Sequence, residues 1–260
     1  MVTLQASQIE PWLATVVLPW CRVIGWIISD PIWGHHNISR RIKLLLSVAM
    51  TWALLPSFKN ATLLPPQEWL SSIAQQLFIG IAIGFSVRII FGAVNLAGQM
   101  VSTQMGLGFA TLYDSHNSQS SPVVGELMTW IILIILWTSN SPVAVWMVLA
   151  DSFEWIPIHS SFTAQGIPPL LGLGTLLFQW GALMALPLVI QILFLNLSFG
   201  MLNRLAPSLN LLSLSFPATL LAGLLMLWVT QPIWQELTPR WINLVLETLR
   251  HTLPLWKGTP

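Results

Sequence analysis

The sequence predicts an all-α integral membrane protein, and three observations carry that prediction. Only 7% of the 260 residues are charged while 55% are hydrophobic, against about 25% charged in a soluble domain. The apolar residues gather into six blocks, most of them long, separated by short polar connections. Mean hydropathy is +0.73. A water-soluble chain of this size would lack the polar groups to cover its surface. Hydrocarbon removes that demand, but it obliges every backbone N–H and C=O to find a partner within its own segment, which here means helix.

The first block runs from about Pro11 to Ser29, close to the roughly 20 residues of one span. Its first basic residue, Arg22, lies inside the apolar run. A cleaved leader would carry its positive charge ahead of that run, so the block is expected in the mature protein. The second block, Ile42 to Pro56, is short for a span. The third (Trp69 to Val101), fourth (Pro122 to Phe153) and fifth (Leu170 to Leu205) each amount to roughly 45 Å of helix or more. The hydrocarbon core is only about 30 Å thick. Such helices must tilt, break or project into other protein, and Pro142 and Pro187 are the expected break points, since proline removes a ladder hydrogen bond. Gly80 and Gly84 form a GxxxG pair suited to close helix approach.

The sixth block, Leu209 to Thr230, closes a membrane region of residues 1–230, and residues 231–260 form an amphipathic C-terminal helix and tail. Trp234, Leu237, Trp241, Val245 and Leu249 recur there at helical spacing, with Glu236, Arg240, Glu247 and Arg250 on other faces. That face suits an interface or a partner helix. Orientation signals conflict. Arg40, Arg41 and Lys43 argue for a cytoplasmic first connection, whereas six spans would put Arg240, Arg250 and Lys257 outside. Helices buried among partners would weaken that rule.

Composition excludes several functions. A net charge of +1 gives no field to recruit nucleic acid. Cys21 is alone, so neither an intrachain disulfide nor a cysteine metal site forms. No P-loop, HExxH or GxSxG motif appears; no catalytic residue, cofactor or metal site is assigned. His35 and His36 read as a solvated loop in preference to a metal site. Three charges lie in or at the edge of apolar blocks. Arg22 either snorkels or faces protein, Arg88 is deep enough to favour protein, and Glu126 complements a helix dipole.

The stretch from Gln99 to Val124, QMVSTQMGLGFATLYDSHNSQSSPVV, leaves a helix through two glycines, turns polar and restarts at Pro122. Met100 and Met105 add compliant side chains. By residues alone, ordinary packing is favoured over gating.

Two motifs then add a resemblance. Gln104-Met-Gly-Leu-Gly-Phe-Ala-Thr-Leu-Tyr-Asp114 is similar to the QMGLSFAT…D stretch of the FliR family. Asn203-Arg-Leu-Ala-Pro-Ser-Leu-Asn210 is similar to its NRLAPQLN turn, and Phe216-Pro217 to its FP step. Pro31 and Ile42-Lys43 fit the family's P-x…RxK region. The chain departs at Gly108, where the family often has serine, and at Ser115, where it often has proline. Both changes loosen the loop.

The resemblance implies a subunit of the flagellar type III protein export gate. It implies assembly with FliP and FliQ, contact with the FlhA and FlhB export components, and passage of unfolded flagellar proteins. Several long or broken helices would join a helical complex at the basal body, in the bacterial inner membrane and in contact with its lipid. It further implies that Gln104, Met105, Gly106, Leu107, Gly108, Phe109, Ala110, Thr111, Leu112, Tyr113 and Asp114, with the polar continuation to Ser121, plug the closed channel. Arg88, Asn203, Arg204, Pro207, Phe216 and Pro217 would pack against partners. The rival readings are the equivalent injectisome subunit and a small secondary transporter, which would need a polar midplane site.

Overall fold

The computed structural model describes residues 6–54, 69–107, 123–158, 160, 162–205 and 211–258. Seven α-helices occupy them: α1 (Ala6–Ser29), α2 (Arg40–Leu54), α3 (Trp69–Gln104), α4 (Val123–Thr138), α5 (Ser141–Trp155), α6 (Ile167–Leu205) and α7 (Leu211–Thr252). Short 3-10 turns precede α6 and follow α7. No strand occurs among the described residues; one isolated antiparallel bridge joins Phe162 and Lys257.

Three long stretches, Trp69–Gln104, Ile167–Leu205 and Ser215–Trp256, have the length and composition to cross a membrane. At about 1.5 Å per residue, α3, α6 and α7 measure roughly 54, 58 and 63 Å, so all three exceed the bilayer core. The pair α4 and α5 forms a fourth candidate, bent by 69°. The bend falls just before Pro142, as expected. Asn140 adopts a left-handed conformation (φ 54°) and Pro142 lies in the first turn of α5, where a missing N–H breaks no helical bond.

Pro187 does not break its helix. It sits inside a continuous α6, on an exposed face, and removes only one ladder bond from an otherwise apolar helix. The helix α7 runs through Thr230 and contains Pro217, Pro232 and Pro239, so the amphipathic tail is the second half of one long helix. Its apolar face is buried within this chain: Trp234, Trp241, Val245 and Leu249 are all buried.

The chain forms two compact units. One comprises residues 1–89, 140–173 and 242–260. In it α1 and α3 meet backbone to backbone. A β-carbon on Gly80 would strike the Arg22 carbonyl, one on Gly84 would lie 2.7 Å from the Trp26 carbonyl oxygen, and one on Gly25 would lie 2.6 Å from that of Leu77. The GxxxG pair therefore does what its spacing suggests.

Arg22 lies in this contact and is fully buried. Its Nε donates to Gln76 Oε1 at 2.7 Å, Nη1 to the Ser152 carbonyl at 2.7 Å and hydroxyl at 3.0 Å, and Nη2 to the Ile156 carbonyl at 2.8 Å. The Phe153 ring lies 4.1 Å beneath the guanidinium carbon. Arg22 does not snorkel. It caps the C-terminal carbonyls of α5, whose dipole favours a cation.

The same unit ends in an aromatic clasp. Trp256, fully buried, packs on Phe78 and Phe162 with ring centroids 5.5 and 5.6 Å away. The Thr163 amide donates to the Trp256 carbonyl at 2.9 Å.

The second unit comprises residues 90–139 and 174–241. Its core includes Ala93, Val94, Ala97 and Val101 of α3, Met128 and Ile132 of α4, Ala185, Leu188 and Ile192 of α6, and Leu227 and Trp234 of α7. Trp180 stacks on Trp241 at 5.0 Å with planes 10° apart. Gly98 of α3 meets Gly125 of α4 so closely that a β-carbon at 98 would collide with the Gly125 Cα.

Candidate functional site

The end of α3 carries the first residues of the motif singled out in the sequence. The helix stops at Gln104, and Gly106 adopts φ 79°. The Gly106 amide donates to the Thr103 carbonyl and the Leu107 amide to the Ser102 carbonyl, both at 3.1 Å. This pair of bonds around a left-handed glycine is a Schellman cap. Gly106 thus satisfies the last carbonyls of α3 in a conformation costly for other residues.

Met105 turns inward and is 1% exposed. Its side chain fills a notch on α7 created by Gly223. A β-carbon there would come within 2.5 Å of Met105 Cε and 2.7 Å of Sδ. Gly106 faces the Phe216 ring, 3.5 Å from its nearest carbon to the Cβ position. Met105, Gly106 and Phe216, drawn from two separate sequence motifs, are therefore brought together. Gln104 and Leu107 are half-buried beside them. Gly108, Phe109, Ala110, Thr111, Leu112, Tyr113 and Asp114 lie outside the described residues, as does Pro207.

The remaining expected residues are dispersed. Asn203 is half-buried and Arg204 exposed in the last turn of α6, where a cation suits the helix terminus. Pro217 lies exposed within the first turns of α7. Arg88 is exposed on this chain and lowers the pKa of Asp30 through space. The Asp30 carboxylate, just past the end of α1, accepts from the Ile32 and Trp33 amides at 2.8 and 2.9 Å. Burial outweighs these favourable groups and raises its pKa to about 6.

Sequence reasoning missed Gly223, Gly98 and Gly125. For Gly98 and Gly223 the signal available was glycine in the interior of a long apolar helix, a position that costs about 1 kcal/mol relative to alanine.

Surface composition separates the helices. The most apolar 18-residue stretch of α3 is 67% buried, whereas those of Ile167–Leu205 and Ser215–Trp256 are 22% buried. Leu171, Phe178, Phe194, Leu197, Leu225 and Trp228 all stand exposed. Helices with such faces require lipid or other protein around them.

The fold and this surface define an all-α membrane protein. Residues 13–244 match the family of bacterial export proteins, family 1, and the chain belongs to that family. It is 34% identical over 243 residues to the flagellar biosynthetic protein FliR of Escherichia coli K12, covering 90% of each chain. It is 28% identical to FliR of Aquifex aeolicus over 229 residues, covering 86% of this chain and 88% of the relative. The secretion system apparatus protein SsaT of Salmonella typhimurium is 23% identical over 234 residues, with 87% and 90% covered.

Proposed function

We propose that this chain is the FliR-type subunit of a flagellar type III protein export gate in the bacterial inner membrane, at the base of a flagellum. FliP and FliQ complete the channel, FlhA and FlhB adjoin it, and unfolded flagellar proteins are its cargo. The observation that carries this reading is the in-register similarity to flagellar relatives over about 90% of the chain. The exposed apolar faces of α6 and α7 support it, since sister subunits would cover them. The flagellar assignment is favoured over the injectisome by 34% against 23% identity. A transporter reading lacks support at the most deeply buried charge: all three nitrogens of Arg22 are engaged by the chain itself.

In the closed state, residues 104–121 obstruct the conduit. Leu107, Phe109, Leu112 and Tyr113 exclude water and ions by bulk and apolarity, and an entering unfolded subunit displaces them. Deleting Gly106 to Ser121 in the assembled gate should raise resting ion conductance across a planar bilayer. Unchanged conductance with intact assembly would refute the plug.

A further inference from the structure

We propose that α2 is a helix one leaflet deep that binds an anionic phospholipid, with the headgroup phosphate on Arg40 and Arg41 and an acyl chain lying along Leu45, Val48 and Trp52. The inference rests on the membrane location of the chain and is independent of what the assembled protein exports.

The helix is inverted relative to one in a water-soluble protein. Ser47, Thr51 and Leu54 make its buried face, and the helix packs on α1. The polar groups on that face find partners there. Trp20 Nε1 donates to Ser47 Oγ at 2.8 Å, and the Ser47 and Thr51 hydroxyls donate to the Leu44 and Ser47 carbonyls, each at 2.7 Å. The opposite face is apolar and bare: Ile42, Leu45, Val48 and Trp52 are 56, 72, 53 and 69% exposed. Such a face needs lipid or protein against it.

Charge decides between those two covers. Arg41, Leu45, Val48 and Trp52 follow at intervals of four, three and four residues, so they form one ridge with Arg41 at its end. From Arg41 to Trp52 the rise is roughly 16 Å, about half of the roughly 30 Å hydrocarbon core. A block too short to cross the membrane is therefore the right length for one leaflet. Arg40 and Arg41 are both exposed, and Lys43, whose Nζ donates to the Gly34 carbonyl at 2.7 Å, adds a further cation. No acidic residue occurs from Pro31 to Gln67, so the field at this end is positive. A basic end on an apolar ridge matches a phospholipid of net negative charge in both position and sign. An apolar partner helix would account for the ridge and leave the adjacent arginines unexplained.

The test uses the full chain, in its complex, reconstituted into phosphatidylcholine nanodiscs. A minor fraction of the lipid carries bromine on its acyl chains, as either phosphatidylglycerol or phosphatidylcholine. Bromine quenches tryptophan at contact, and the difference between the parent and Trp52→Phe isolates the Trp52 emission. Brominated phosphatidylglycerol should quench that emission several-fold more than the same fraction of brominated phosphatidylcholine. Arg40→Gln with Arg41→Gln should reduce the two lipids to equal quenching, and Arg40→Lys with Arg41→Lys should keep most of the preference. Quenching by brominated phosphatidylcholine should be the same in the glutamine pair as in the parent, which shows that α2 stays in place.

Equal quenching of the parent by the two lipids would overturn the proposal, since the ridge would then meet lipid without selecting a headgroup. A preference that survives the glutamine pair would overturn it as well, because recognition would lie elsewhere. Absence of Trp52 quenching by either lipid would show that protein covers the ridge and would also overturn it. None of these outcomes bears on the export reading.

Discussion

Arg22 and Ser152, 130 positions apart in the chain, are joined by two hydrogen bonds from one nitrogen: Nη1 donates to the carbonyl at 2.7 Å and to the hydroxyl at 3.0 Å. The pairing ties α1 to the end of α5. It also places a cation at the C-terminal end of α5, where the helix dipole is negative.

Replacing Arg22 by methionine keeps the volume and removes every donor. The Gln76 Oε1 and the Ile156 carbonyl would lose the Arg22 donor in a buried site, and the Ser152 carbonyl would keep only the Ile156 amide. The expected loss is about 3 kcal/mol or more, read as a lower midpoint of thermal unfolding in detergent. An unchanged midpoint would show that the capping contributes nothing.

Gly80 and Gly200 make opposite predictions for the same substitution. Gly80→Ala drives a β-carbon into the Arg22 carbonyl, which is backbone and cannot step aside, whereas nothing lies within 4 Å of the Cβ position at Gly200. The first variant should fail to hold α1 against α3 and lose yield in the membrane. The second should fold normally and gain up to about 1 kcal/mol in helix propensity. Equal behaviour of the two would contradict the packing described.

Asp30 gives a pH dependence with a definite sign. Its folded pKa of about 6 lies above the ordinary value of 3.8, so the folded chain binds the proton more tightly than the unfolded one. The contribution to stability is fully present below about pH 4 and is lost as pH rises through about 6. The size is on the order of 3 kcal/mol. Asp30→Asn should flatten that slope and raise stability at neutral pH, because an amide oxygen still accepts from the Ile32 and Trp33 amides. Unfolding curves at pH 4 and 7 check it.

Trp256 closes the clasp on Phe78 and Phe162. A β-carbon on Gly166 would collide with the indole and lie 2.6 Å from the Thr252 carbonyl oxygen. Trp256→Ala should therefore cost about 3–5 kcal/mol, and Gly166→Ala should disrupt the same contact. The residue lies beyond the family match, which ends at 244, so the clasp should act on stability ahead of transport. Parent-like thermal unfolding of both variants would contradict it.

The parts of this molecule legible in sequence are those fixed by local rules. Block length locates α3 and α6, the Gly80–Gly84 spacing marks a close helix contact, and Pro142 marks the bend before α5. The illegible parts are long-range. Nothing near Arg22 in sequence names Ser152 or Gln76 as its acceptors, because helix packing brings them together. Pro187 misleads for another reason: a long apolar helix supported by its other backbone bonds tolerates the loss of one. Trp234 and Trp241 read correctly as an apolar face, but their partners lie within the chain. Met105 and Phe216 belong to separate motifs, and only the packing of the end of α3 on α7 relates them.

The measurement that tests the central claim most directly is the native mass of the protein after gentle extraction from its own membrane. The exposed faces of α6 and α7, in a member of this export family, predict a stable complex far heavier than the 28.9 kDa chain, with other small membrane subunits retained. A homogeneous species at 28.9 kDa, folded and active by itself, would contradict the account.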